Sequence, residues 1–277
     1  MEHVARLKSR GILGLEGPNV HDFLQGVITN DIQKLAPNAL LYAAHLTPQG
    51  RFLYDFFIAE INGDILIDCD RDELMDVAKS LHEYDIAKKI DFHDLSDEYS
   101  VFSQWNSQGT EVGRWLADPR HPKLGRRSYL RGKDATPQPD TSEDEYNAYT
   151  LSLAIPDGTV DVVKGKTLAN EMRLEDLNGV SFTKGCYVGQ ELTARTKYRT
   201  NPKKGYFIVH FDSDDDLPPG TEILRGKTTA GHLFRNTGGV GLAMLRFRDV
   251  DKGEPLLVNG KELKDIRKPD WVQADYY

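Results

Sequence analysis

The stretch Ser181-Phe182-Thr183-Lys184-Gly185-Cys186-Tyr187-Val188-Gly189-Gln190-Glu191-Leu192-Thr193-Ala194-Arg195 sets a cysteine between two glycines. Gly185 and Gly189 let the chain turn tightly around Cys186-Tyr187-Val188 and leave the thiol unshielded by large neighbours. From 184 to 204 the cations are Lys184, Arg195, Lys197, Arg199, Lys203 and Lys204, against the single anion Glu191. Such a field favours a thiolate, and a helix opening at Gly189 would act in the same sense. Cys186 is therefore a candidate nucleophile or ligand for a soft metal. The competing reading is a small buried hydrophobe, the commonest fate of a free cysteine. Cys69, at the end of a strand-like run over 65–70, suits that reading.

Ahead of this stretch the pattern is α+β. Residues 11–17 read as a strand, and Pro18 opens a helix that carries Val20, Phe23, Leu24, Val27 and Ile28 at helical spacing. Runs at 39–46, 52–58 and 65–67, broken by Pro48-Gln49-Gly50 and Asn62-Gly63, predict an antiparallel meander. Residues 71–90 place Leu74, Val77, Ala78, Leu81, Tyr84 and Ile86 on one helical face. A second α+β unit begins near Tyr99 and holds a charged turn at 118–127, an exposed loop at 131–144 and a helix at 143–153. After Asn201-Pro202, short β-prone runs at 206–211, 221–224, 239–247 and 255–258 predict a small barrel or sandwich. Gly238-Gly239-Val240-Gly241 reads as a turn of that barrel, and the acidic run 212–216 as solvated. The expected division is 1–200, in subunits of about 1–98 and 99–200, followed by 201–277.

Composition narrows the function. The 277 residues exceed the length at which one core usually divides, and no apolar run approaches the roughly 18 residues of a membrane span. With 35 Lys+Arg against 43 Asp+Glu, the net charge of −8 argues against a general nucleic-acid binder. Two cysteines far apart build neither a disulfide framework nor a thiolate metal cage, so a reducing compartment fits best. The N-terminus has no apolar core of a secretory signal. The histidines show no zinc-binding spacing; His121, in the turn at 118–127, is a possible partner for the thiol or a plain exposed residue.

Lys184-Gly185-Cys186-Tyr187-Val188-Gly189-Gln190-Glu191 resembles the K-G-C-[FY]-x-G-Q-E signature of the YgfZ-like proteins, in the folate-binding superfamily of the glycine cleavage T-protein. Leu24-Gln25-Gly26-Val27-Ile28-Thr29-Asn30-Asp31, Thr47-Pro48-Gln49-Gly50-Arg51-Phe52, Asp118-Pro119-Arg120 with Leu124-Gly125-Arg126, and Gly179-Val180-Ser181-Phe182 extend the likeness. The run 190–196 resembles the eukaryotic branch. The resemblance implies a GcvT-like α+β fold, a ring of units around a central pocket with a C-terminal β-barrel, and a place in the mitochondrial matrix, with any transit peptide removed. It implies an assembly factor for 4Fe-4S proteins that binds tetrahydrofolate, with Cys186 sharing a 2Fe-2S cluster with an A-type scaffold partner. One thiolate cannot hold a cluster alone. No nucleic-acid or membrane partner is implied.

Asn30, Asp31, Gln49 and Asp55 are the residues expected to meet the pterin edge, with Tyr54 or Phe52 against its ring. Lys184, Gln190, Glu191 and Arg195 from the signature region complete the expected set, and Arg120, Arg126 and Arg127 are further candidates for a glutamate tail. Asn30-Asp31 reads equally well as a helix-terminal turn, Asp55 as a strand-edge polar residue, and the arginines as surface charges. The aminomethyl-transferring T-proteins carry paired acids in Gly-Gly-Ile-Leu-Asp-Asp, where this chain has Gly50-Arg51-Phe52-Leu53-Tyr54-Asp55. With one acid left, a folate-dependent one-carbon transferase is the second reading.

Overall fold

The computed structural model describes residues 2–107, 115–132, 137–213, 216–250 and 253–273. Strand β1 (His3–Arg6) leads into β2 (Arg10–Glu16), the helix α1 (Val20–Val27), and the meander β3 (Leu40–Leu46), β4 (Phe52–Ile61) and β5 (Asp64–Asp70). Helix α2 (Leu74–His82) and β6 (Asp91–Asp94) follow, and the five strands align as β3-β4-β5-β2-β6, every pair antiparallel. The β4–β5 hairpin turns on Asn62 and Gly63, both at positive φ (54° and 90°), as the Asn-Gly pair predicts.

Both faces of this sheet are covered, which is why β3 is hydrophobic at nearly every position. Leu41, Ala43, Phe56, Ile58, Ile65 and Ile67 pack with Leu24 and Val27 of α1 and Val77 and Leu81 of α2. Leu40, Tyr42, Phe57 and Leu66 face the opposite way, into the central core. Helix α2 is shorter than the periodicity predicts: the chain turns at Asp85, whose Oδ2 accepts from the Ile90 amide at 2.7 Å. Ile86, expected on the buried face, is 94% exposed because it lies past that turn.

The second sheet is ordered β1-β7-β9-β8, from β7 (Tyr99–Trp105), β8 (Leu116–Ala117) and β9 (Arg126–Arg131). Its edge strand β1 comes from the N-terminus, so the two α+β sheets interleave along the chain. Helix α3 (Glu143–Ser152) is capped by Ser142, whose hydroxyl accepts from the Glu145 amide at 3.2 Å. The expected loop at 131–144 is partly tied down: Asp140 Oδ1 accepts from the Val4 amide at 2.7 Å, while 133–136 lie outside the described residues. A turn-rich stretch, 155–188, then leads to α4 (Gln190–Arg199).

The C-terminal region closes into a barrel in the order β10-β13-β12-β11-β14-β15. Its strands are β10 (Lys204–Phe211), β11 (Thr221–Arg225), β12 (Thr228–Thr237), β13 (Val240–Arg246), β14 (Leu256–Val258) and β15 (Lys261–Arg267), with the short α5 (Phe247–Val250) after β13. Gly238-Gly239 forms the β12–β13 turn, as expected. Asp212 of the acidic run is exposed and pairs with Lys264 at 2.7 Å; Asp214 and Asp215 lie outside the described residues. One side of the barrel packs inward on Phe207, Val209 and Leu245, whereas Tyr206, Phe234 and Met244 face out and join the central core. Among the described residues no helix is long and apolar enough to cross a membrane.

Candidate functional site

The segment 179–189 lies along the end of α1 and residues 28–30 after it, held by a series of hydrogen bonds. Thr29 Oγ1 donates to Gly179 O at 2.6 Å, the Ser181 amide to Thr29 O at 3.0 Å, and the Val188 amide to Gly26 O at 3.0 Å. Lys184 reaches inward and donates from Nζ to Ile28 O at 2.8 Å and Asn30 O at 2.6 Å. Burial there lowers its ammonium pKa to about 8, against a small upward pull from Asp31. Gly189 adopts φ 83°, and a Cβ at this position would sit 2.6 Å from Thr47 O. Gln190 accepts from the Tyr187 amide through Oε1 at 3.2 Å, joining the loop to the first turn of α4.

Between these fixed points Gly185 and Cys186 stand out into solvent, and Cys186 is the exposed one of the two cysteines. Cys69 is buried on β5, where burial pushes its thiol up to about 12. Helix α4, which follows this loop in the chain, and the residues after it carry cationic and aromatic side chains. Arg195, Arg199 and Lys203 are exposed, and Tyr198 stacks edge to face on Phe182 with centroids 6.0 Å apart. Lys197 is tied to Glu175. Glu191 is exposed on the first turn of α4.

A second feature lies where the two sheets, the 155–188 stretch and the barrel converge. It is a cavity of about 40 Å³, lined by Asp55, Phe57, Arg120, Arg127, Asp157 and Arg235 among others. Asp68 accepts from Arg10 at 2.6 Å, Arg127 at 2.8 Å and Tyr129 at 2.8 Å; Asp118 pairs with Arg120 at 2.8 Å. Arg235, from the barrel, pairs with Asp161 at 2.7 Å and donates to Ile155 O at 2.8 Å. The guanidinium of Arg127 lies 4.0 Å from the centroid of Phe57, and that of Arg120 4.8 Å. Tyr42 donates to Asp55 Oδ2 at 2.6 Å, and burial followed by the charge of Asp157 pushes the Asp55 carboxyl up. Burial acts in the same sense on Asp157, but Arg235 and the Thr159 amide hold it below the usual range.

The expected folate residues are not gathered here. Asp55, Arg120 and Arg127 line the cavity, whereas Asn30, Asp31, Gln49, Lys184, Gln190, Glu191 and Arg195 do not. The Asn30 amide is spent on Tyr42 O and Asn178 O, each at 2.8 Å, and Asp31 caps the turn 32–34 by accepting from the Gln33 amide. Gln49 sits exposed in the β3–β4 turn. His121 caps its own turn, accepting from the Lys123 amide at 3.2 Å. Arg10, Tyr42, Asp157, Asp161 and Arg235 were not legible as site residues: no motif surrounds them, and Pro156-Asp157-Gly158 reads only as a turn.

Tetrahydrofolate, implied by the resemblance, does not fit these residues as arranged. Ligand pockets usually reach roughly 300–1,000 Å³, and the volume here suits a water-sized group or two. Phe57, an aromatic ring of the cavity lining, is covered by the guanidinium groups of Arg120 and Arg127, while Phe52 and Tyr54, the rings expected against a pterin, are not part of the lining.

Comparison with known proteins agrees with this architecture. The iron-sulfur cluster assembly factor IBA57 of Homo sapiens, named as mitochondrial, is 31% identical over 305 residues, covering 96% of this chain and 84% of the human protein. The chain belongs to the IBA57 family. A mitochondrial IBA57 homolog of Neurospora crassa is 32% identical, with 88% of this chain and 69% of that protein covered. Residues 203–274 match the family described as CAF17, C-terminal beta-barrel domain. The crystal structure of the glycine cleavage system aminomethyltransferase T from Bartonella henselae superposes with a TM-score of 0.67 over 98% of this chain and 86% of that one, at 10% identity. The T-protein-like fold expected from the signature is thus present, and the mitochondrial names of the relatives match the expected compartment.

Proposed function

We propose that the chain is a mitochondrial iron-sulfur cluster assembly factor in which Cys186 supplies one thiolate to a 2Fe-2S cluster carried by an A-type scaffold, on the way to 4Fe-4S proteins. The observation that carries this reading is the placement of Cys186: an exposed thiol on a loop whose flanks are pinned to α1, to residues 28–30 and to α4, the helix that follows. A pinned loop presents the sulfur in one position, open to a partner. Cluster iron takes four protein-type ligands in all. Among the described residues no group of His, Cys, Asp and Glu is placed to hold a metal, so the other ligands come from the partner or glutathione.

The test is anaerobic mixing of the protein with a 2Fe-2S-loaded A-type scaffold, followed by visible absorption and native mass. Wild type is expected to form a coloured heteromeric complex, and Cys186→Ser to leave the colour with the scaffold. A coloured complex of equal yield with Cys186→Ser would sink the proposal.

One observation favours the second reading, a folate-dependent transferase. Asp157 brings a second carboxyl into the cavity with Asp55, in place of the acid missing beside Asp55 in sequence. The closed volume weighs against it. Adding tetrahydrofolate at 1 mM, roughly a thousand times a micromolar Kd, is expected to leave the melting temperature unchanged, whereas a ligand bound with that affinity would stabilise by about 4.1 kcal/mol. A rise in melting temperature lost in Asp55→Asn would restore the transferase reading.

A further inference from the structure

A crevice of about 270 Å³ opens where the outer face of the barrel meets residues 163–167 of the turn-rich stretch. It is separate from the Cys186 loop and the central cavity, and shares no lining residue with either. Its floor is apolar: Phe234 on β12 and Met244 on β13, both 3% exposed, with Ala230 beside them. Its charged lining is of one sign. Lys166, Lys204 and Arg246 line it, and no carboxylate does.

Two of these cations have acid partners that are not among the lining residues. Lys204 meets Glu171 at 3.3 Å and Arg246 meets Asp249 at 4.0 Å, contacts long enough to leave donors free. Lys166 has no carboxylate partner among the described residues; its backbone carbonyl accepts from Arg51. His232 also lines the crevice and is held below the usual imidazole range, by burial first and then, against the pull of Glu222, by the charges of Lys204, Arg246 and Lys166. Three positive heads therefore share the crevice with the His232 ring and an apolar floor.

We propose that this crevice binds a small organic anion, with its apolar body on Phe234 and Met244 and a phosphate or carboxylate head held by Lys166, Lys204 and Arg246. An apolar floor with a few convergent polar groups at one end is the usual build of a small-molecule site. The head-group cations come from both the barrel and the 163–167 segment, so an occupant bridges the two.

The experiment is calorimetric titration of the full chain with phenyl phosphate and with benzoate, while histidine ring resonances are followed by NMR. Saturable binding is expected for at least one of the two, with a shift of the His232 ring signals. Inorganic phosphate and phenol, each carrying half of the recognition, should bind at least roughly tenfold more weakly. Lys166→Gln, at an exposed position, should weaken the organic anion by about tenfold; Thr229→Trp, which fills the crevice, should abolish binding. Cys186→Ser should bind as wild type does. Failure of both anions to saturate, inorganic phosphate binding as tightly as they do, or unchanged affinity in both Lys166→Gln and Thr229→Trp would overturn the proposal.

Discussion

Two cysteines of one chain meet opposite fates because their neighbours differ. Cys69 alternates with Ile65 and Ile67 on the β5 face that α1 and α2 cover, so its sulfur packs as a small hydrophobe. Cys186 follows a glycine with no atom near its missing Cβ, and the lysine two residues before it turns inward to bind backbone carbonyls. Lys184 is thus a clamp on the loop: its ammonium is held between Ile28 O and Asn30 O and lies 5.1 Å from the centroid of the Tyr187 ring. Labelling of the native protein with an uncharged maleimide at pH 7 is expected to take up one equivalent, mapped by peptide mass to Cys186. The second equivalent should appear only on unfolding, since a buried thiol raised to about 12 has almost no thiolate. Equal native rates at both cysteines would show that the burial of Cys69 does not protect it.

At the scale of the element, the loop before α4 is shaped by one glycine more than by its partner. Gly189 requires a left-handed φ of 83°, and a Cβ would meet Thr47 O at 2.6 Å and Leu46 Cβ at 3.0 Å. Gly185 has open space around it. Gly189→Ala should therefore cost about 2 kcal/mol or more by urea denaturation, from strain plus displacement of the β3–β4 turn. Gly185→Ala should stay within about 0.5 kcal/mol of wild type. Similar losses for the two variants would refute this division of roles. Element patterns explain which strands were legible. β3, β4 and β5 carry unbroken apolar signals because both faces of their sheet are buried. β12 and β15 were missed: β12 is interrupted by Gly231 and Asn236 with a register shift between Leu233 and Asn236, and β15 buries only Leu263. Closure of the barrel, through β15 pairing with both β14 and β10, supplies the order that their sequences do not announce.

Across the whole molecule, the central junction is held by buried ion pairs contributed from every part of the chain. Arg10 comes from β2, Asp68 from β5, Arg127 from β9, Asp161 from the turn-rich stretch and Arg235 from β12 of the barrel. Asp161 is fully buried, with the Arg235 guanidinium as its cation. Removing one partner of such a pair leaves a charge in low dielectric, so Arg235→Met should destabilise by about 3–5 kcal/mol. Adding Asp161→Asn should recover part of that loss, which a double-mutant cycle from urea midpoints would read. A loss under about 1 kcal/mol, or no recovery in the double variant, would show that the barrel is not fastened through this pair.

The local pattern is readable in the residues alone: the first strand and helix, the meander with its Asn-Gly turn, the helix opening at Gly189, and Cys186 set between two glycines. Those features follow from periodicity, turn chemistry and glycine placement, all of which act over a few residues. The sequence also pointed to a single acid at Asp55 and to a pterin set spread over four segments. Where those side chains come to lie depends on the packed chain, because contacts between distant residues have no local signature. Folding turns Asn30 and Asp31 into backbone partners, leaves Gln49 in solvent, carries Asp157 to Asp55, and lays the guanidinium groups of Arg120 and Arg127 over Phe57. The exposed thiol was legible because it needs only small neighbours; the small central cavity was not, because its size depends on which arginines the two sheets and the barrel bring together.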